Sequence, residues 1–306
     1  MNLDGFLLVD KSSGPTSHDI VDLFRRRSRI KKVGHTGTLD PLATGLLVLC
    51  VGRSTRLQSY LMKLEKDYEG TIQFGVATDT YDSAGRELGE RKSIDLSQVD
   101  LEPHVATFRG EIDQIPPAYS AKKIDGVRAY ELARKGEEVK IDPKRVTVYE
   151  LEVTPVSAAG ASFRMRCSAG TYVRSVAHDL GQLLGCGAHL KSLRRTKVGE
   201  FDIKDAIPSD RIREAEDDEL FGEPHFRGMD KISLPLPDVM LDPSQEKRLA
   251  SGQSVIVKPA DGTILTSGAL LALTNTRDEL IGIGEVGEVL RDGGPTVILP
   301  KVVLRA

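Results

Sequence analysis

Two side chains within one stretch of twelve residues can do acid, base or nucleophilic work. They are His35 and Asp40, in Gly34-His35-Thr36-Gly37-Thr38-Leu39-Asp40-Pro41-Leu42-Ala43-Thr44-Gly45. Three glycines and a proline make the stretch a loop. It runs straight into Leu46-Leu47-Val48-Leu49-Cys50-Val51, an unbroken apolar run that reads as a buried strand. A loop fixed to the end of a core strand is a rigid mount for a reactive carboxylate. Asp40 therefore stands as a candidate nucleophile or base. Asp-Pro is also a common turn pair, so the residues alone leave both readings open.

The elements around that loop can be read in order. Residues 6–9 form a short strand, and Thr16 or Ser17 caps a helix with Ile20, Val21 and Phe24 on one face. His18 falls in its first turn as a surface residue. A second helix opens at Gly52, with Leu57, Tyr60, Leu61 and Leu64 on one side. Tyr68 to Gly75 alternates and reads as a strand. Pro116-Pro117-Ala118-Tyr119-Ser120-Ala121-Lys122-Lys123 is a proline-led basic loop, followed by a helix at 127–135 closed by Gly136. Residues 146–154 and 162–167 are strands, the second with Phe163, Met165 and Cys167 inward. A turn at Ser168-Ala169-Gly170 then delivers Tyr172 and Arg174 to a helix start. Its buried stripe is expected to be Val173, Val176, Leu180, Leu183 and Leu184. After Pro237, short β-rich runs at 254–257, 264–266, 270–274, 280–285 and 297–304 suggest a small all-β barrel or sandwich.

Composition narrows the class. The chain has 306 residues, 40% hydrophobic and 28% charged, which is ordinary for a globular protein of two domains. No apolar run is long enough to span a bilayer, and the first residues lack a signal-peptide pattern. Three cysteines in apolar or glycine-rich contexts fit buried thiols in a reducing cytoplasm. No Cys/His spacing resembles a metal site. The net charge of −3 is unevenly placed: residues 205–246 carry twelve acidic and four basic side chains, leaving a net +5 elsewhere. That bias permits contact with RNA, and solvated helix faces would look the same. The acidic stretch at about 205–232 reads as a linker or solvated excursion.

The loop at 34–45 resembles the signature of the TruB family of tRNA pseudouridine synthases. Four further stretches resemble the family's motifs in the family's order: Asp10-Lys11 with Gly14-Pro15-Thr16-Ser17-His18-Asp19, then Lys66-Asp67-Tyr68, Gly170-Thr171-Tyr172-Val173-Arg174-Ser175 and the Leu193-Arg194-Arg195-Thr196 turn. Ile281-Gly282-Ile283-Gly284-Glu285 and Leu299-Pro300-Lys301-Val302-Val303-Leu304 are similar to a PUA domain, a small RNA-binding barrel. Ser12 and Arg56 depart from residues common in the family, at positions that bear on loop stiffness or a phosphate contact.

The resemblance implies an α+β pseudouridine synthase fold: a central mixed, largely antiparallel sheet flanked by helices, followed by the small all-β PUA-like barrel. It implies a catalytic domain at 1–232, with an RNA-clamping insertion at about 114–145, and an RNA-binding domain at 233–306. The implied activity is isomerisation of a T-arm uridine in tRNA to pseudouridine, which needs no cofactor. Asp40 would be the essential carboxylate, Arg174 its guanidinium partner, and Tyr68 a ring that stacks on the uracil and relays a proton. His35, Lys11, Tyr172, Leu193, Ser120, Lys122 and Arg194 would bind RNA or line its pocket, although Tyr172 and Leu193 would serve equally as packing. The expected partners are the tRNA T-arm and, through the PUA-like barrel, the acceptor stem. The insertion marks the stand-alone enzymes, implying no obligatory protein partner; a monomer is the default expectation. An RNA-binding or tRNA-folding protein, or a guide-RNA-dependent relative, are the competing readings.

Overall fold

The computed structural model describes residues 3–119, 123–124, 127–128, 141–258, 265–289 and 294–304. Eleven strands build one sheet. They are β1 (Gly5–Lys11), β2 (Val33–His35), β3 (Thr44–Val51), β4 (Lys66–Phe74), β5 (Gly110–Gln114), β6 (Lys144–Ser157), β7 (Gly160–Cys167), β8 (Ala188–Val198), β9 (Phe201–Asp202), β10 (Ile207–Pro208) and β11 (Phe226–Gly228). Their order is β10-β1-β3-β8-β4-β7-β6-β5, with β2 on β3, β9 on β8 and β11 on β1. Only the β1–β10 and β3–β8 pairings are parallel, so the sheet is mixed and mainly antiparallel.

The apolar runs in β1 and β3 lack alternation because both sheet faces are covered. Leu7, Val9, Leu47 and Leu49 pack with the helices α1 (Ser17–Ser28) and α2 (Val173–Leu183) in one core. Phe6, Leu8, Leu46, Val48 and Cys50 enter a second core on the other face. Helix α1 begins at Thr16, whose side chain accepts from Asp19 N while Asp19 accepts from Thr16 N, a reciprocal cap for two otherwise unpaired donors. On α2, Val173, Val176 and Leu180 are buried, but Leu183 is 51% exposed because it falls off their stripe.

A second sheet has the order β12-β14-β15-β16-β13, from β12 (Asp238–Met240), β13 (Val255–Val257), β14 (Leu270–Thr274), β15 (Leu280–Val289) and β16 (Thr296–Val303). It is not all-β. Helix α3 (Pro243–Ala250) precedes β13, capped reciprocally by Asp242 and Gln245. Residues 265–266 are not a strand, and 259–264 lie outside the described residues. Ala272, Ile283 and Leu304 complete the core begun by Phe6, Leu8, Leu46 and Val48, so the second sheet packs on the first.

The acidic stretch is no linker. Residues 207–208 and 226–228 pair with the outer edge of β1, and Ile207, Ile212, Ala215, Leu220 and Phe226 are buried in the first core. Several of its charges are paired: Asp217 with Arg27 of α1, Asp205 with Arg227, Glu219 with Arg211. The basic-looking end of α1 is thereby partly neutralised. The expected helix at 127–135 also fails at its start, since Val127–Arg128 pairs as a strand with Lys123–Ile124; 129–135 lie outside the described residues.

Leu220 is fully buried, so Leu220→Ala should cost about 2–5 kcal/mol of unfolding free energy in denaturant titrations. A solvated linker would register less than about 0.5 kcal/mol.

Candidate active site

The loop between β2 and β3 is fastened on both sides of Asp40. Thr36 N donates to Val48 O at 3.0 Å, and Leu39 is held by buried Ser17, whose Oγ accepts from Leu39 N at 2.8 Å and donates to Leu39 O at 3.0 Å. Beyond Asp40, Pro41 O accepts from Gly14 N at 2.8 Å, and Ala43 N closes a turn onto Asp40 O at 3.0 Å. The carboxylate itself is 41% exposed, so a firmly held backbone presents a reachable acid.

Arg174 meets it from the first turn of α2. Its Nε lies 3.0 Å from Asp40 Oδ2, while the guanidinium is 8% exposed. The other donors are also used: Nη1 donates to Thr80 O at 2.9 Å and stands 3.5 Å from Asp82 Oδ2, and Nη2 donates to Tyr119 O at 3.0 Å. A buried guanidinium needs this compensation, and its fork fixes three segments relative to one another. The sequence reading had no role for Asp82. It is buried, with Oδ1 accepting from Thr80 Oγ1 at 2.6 Å and Ala84 N at 3.0 Å. The available signal was the turn composition of 79–85, whose polar residues orient their own backbone.

Arg195 was also passed over. Neighbouring arginines on a strand point to opposite faces. Arg194 turns to one side and makes a forked pair with Asp10 at 3.1 and 2.6 Å. Arg195 turns to the other and is 1% exposed, donating from Nε to Leu46 O at 2.7 Å and from Nη2 to Gly37 O at 3.0 Å. It ties β8 to the Asp40 loop. The close approach requires Gly45 (φ +97°), where a Cβ would lie 2.3 Å from Arg195 O. The expected leucine-arginine turn is thus the middle of β8, with a bulge after Arg195.

Tyr68 pairs with Arg195 across β4 and β8 and is half-buried against the first core. Burial pushes its hydroxyl pKa up, the Arg195 guanidinium opposes that, and the Asp40 charge adds to it. Asp40, Arg174 and Tyr68 thus share one neighbourhood.

The residues expected on RNA divide. His35 sits in the loop with Nδ1 accepting from Gly37 N at 3.3 Å, which makes Nε2 the protonated nitrogen. Burial first, then Arg195, depresses its pKa to about 4, so the ring is neutral at neutral pH. Lys11 is fully buried beneath the loop, donating to Ser12 O at 2.9 Å and Pro41 O at 3.4 Å. Arg194 is bound to Asp10 rather than free, again because the strand register decides where it points. Tyr172 is half-buried, its backbone held at both polar atoms by Gln114 (2.7 and 3.0 Å). Leu193 is buried in the first core. Ser120 and Lys122 lie outside the described residues.

A concavity of about 590 Å³ lies on the opposite sheet face, lined by Glu69, Thr71, Arg164 and Arg194, and includes none of Asp40, Arg174 or Tyr68. Among the described residues, no three His, Cys, Asp or Glu side chains group as metal ligands, and no helix is long and apolar enough to cross a membrane.

The chain is similar to known proteins along its length. Residues 25–173 match the model of the TruB family pseudouridylate synthase N-terminal domain, and 174–236 match that of the tRNA pseudouridylate synthase B C-terminal domain. The acidic stretch falls inside the second match. A relative called tRNA pseudouridine synthase B from Solibacter usitatus is 43% identical over 303 residues, covering 99% of this chain and all of the relative. One of the same name from Opitutus terrae is 48% identical over 210 residues, 69% of this chain and 87% of its own. Among solved structures, a chain of a Cbf5-Nop10-Gar1 complex superposes with a TM-score of 0.73 at 26% identity, covering 97% of this chain and 84% of that one.

Lys11 and Lys66 are both lowered from 10.5 to about 8, chiefly by burial. Between pH 8 and 10.5 the unfolded chain therefore holds more protons, so these groups make stability rise with pH. Denaturant midpoints from pH 7.5 to 10 should show Lys66→Met losing its share of that rise relative to the native chain.

Proposed function

The chain belongs to the TruB family of pseudouridylate synthases, an isomerase that modifies tRNA, and from that premise we propose that it acts on a T-arm uridine through Asp40. The observation that carries this reading is the Asp40–Arg174 ion pair: an accessible carboxylate, aimed by a buried guanidinium whose other donors are engaged. The bond between uracil N1 and ribose C1′ breaks and a bond from C5 to C1′ forms; C5 gives up its proton and N1 takes one up, so atoms and electrons balance. Asp40 acts at that sugar–base junction as nucleophile or base.

The target uridine leaves the stack to reach Asp40, at a cost of a few kcal/mol offset by new contacts. Tyr68 stacks on the extruded uracil, and its raised pKa keeps the phenol protonated and able to donate. Neutral His35, in the same loop, hydrogen-bonds or fills the gap beside the displaced nucleotide. Residues 114–145 close over the T-loop. Their entry is tied to the first turn of α2 through Gln114, and through Ser175 donating to Ile115 O at 3.0 Å. The unit after residue 232, PUA-like in sequence, reaches toward the acceptor stem. The protein works without a guide RNA, a reading supported by the presence of 114–145, and acts as a monomer. The likeness to chains of Cbf5 complexes makes guided action the alternative to test.

The purified chain should release tritium from C5-labelled uridine in an unmodified T-arm stem-loop, with no other macromolecule added. Asp40→Asn should lower the single-turnover rate by more than about 10³-fold while keeping RNA affinity. Unchanged release by that variant would sink the assignment of Asp40. Release only after a guide RNA is supplied would favour the guided reading.

A further inference from the structure

The turn at 79–85 supplies one ring of an aromatic pair that has no part in the reaction described above. Tyr81 has φ +64°, in the left-handed region that tyrosine occupies only under constraint. Its ring stacks on His178, with centroids 3.7 Å apart and planes at 12°. His178 lies four residues beyond Arg174 on α2, so the two share a helix face. Both grip one turn. Arg174 holds Thr80 O and Asp82 by charge, and His178 holds Tyr81 by its ring.

The strained backbone has a geometric result. Tyr81 N donates to Thr78 O at 3.2 Å, and Leu190 N to Tyr81 O at 3.0 Å. Thr78 Oγ1 also donates to Asp82 O at 2.7 Å. The chain thus reverses so that Asp82 lies inside the turn, with its carboxylate facing Arg174. His178 Nδ1 is buried without a hydrogen-bond partner among the described residues, which is a cost that a carbon ring would not incur. The position therefore asks for a flat ring rather than for an imidazole.

We propose that the Tyr81–His178 stack is a positioning device for the isomerisation: it fixes Asp82 against Arg174 and, through that guanidinium, the direction of the Asp40 carboxylate. The proposal rests on Asp40 being the reacting group. Neither ring touches reacting atoms; both are positioning residues.

The test is single-turnover tritium release at saturating stem-loop RNA. His178→Ala should slow release roughly five- to tenfold with RNA affinity unchanged, the scale of one lost aromatic contact. Tyr81→Gly adopts the positive φ without strain, so it folds, and should slow release equally. His178→Phe should restore the rate to about that of the native chain, since it keeps the stacked pair. Added to Asp82→Asn, His178→Ala should cause no further loss, because the effect runs through that carboxylate. A native rate in His178→Ala and Tyr81→Gly, losses that multiply with Asp82→Asn, or a fall in RNA affinity in place of rate would each overturn the proposal. Activity retained by Asp40→Asn would instead overturn the reading beneath it.

Discussion

A guanidinium taken out of water must find a partner for each donor, and at Arg174 that demand organises the site. Its partners come from three separate places: the loop after β2, the turn at 79–85 and the segment that contains Tyr119. None of these segments has regular structure of its own. Leaving any of the donors unpaired in this setting would cost several kcal/mol, so the three segments are held by one charge. Asp40, the exposed member, gains a fixed direction without being buried. Arg195 repeats the arrangement one layer deeper, where its partners are the carbonyls of Leu46 and Gly37.

What the sequence made legible follows from how local the signal is. The Asp40 loop could be read because its glycines, its proline and the apolar run after it are contiguous. The strands β1 and β3 could be read because both their faces are buried, which leaves no polar residue to interrupt them. The acidic stretch misled because charge dominates its composition, while its anchoring depends on a few isolated side chains such as Ile212 and Leu220. The two adjacent arginines on β8 could not be sorted at all: which one is inside depends on a register set by β4 and by the bulge. Helix α3 was legible in principle, since Asp242, Pro243 and Gln245 spell a helix start, but the surrounding β-rich runs drew the eye away.

The family resemblance located residues more surely than it located their surroundings. Asp40 and Arg174 form an ion pair, Lys11 sits under the loop, and Arg194 pairs with Asp10. Motifs record which residue type recurs, not which way it faces. Lys11, buried among backbone carbonyls, stiffens the mount of Asp40.

The shared core between the two sheets bears on how the chain is made. Phe6, Leu8, Leu46 and Val48 emerge early in synthesis, yet the residues that cover them, Ala272, Ile283 and Leu304, come last. Leu57, Leu61, Val198 and Phe201 cover part of that sheet face earlier, but the rest stays open to wrong partners until the distal unit is made. The distal unit thus acts as the molecule's own closing lid on synthesis, and a ribosome that stalls before it releases a sticky half-sheet.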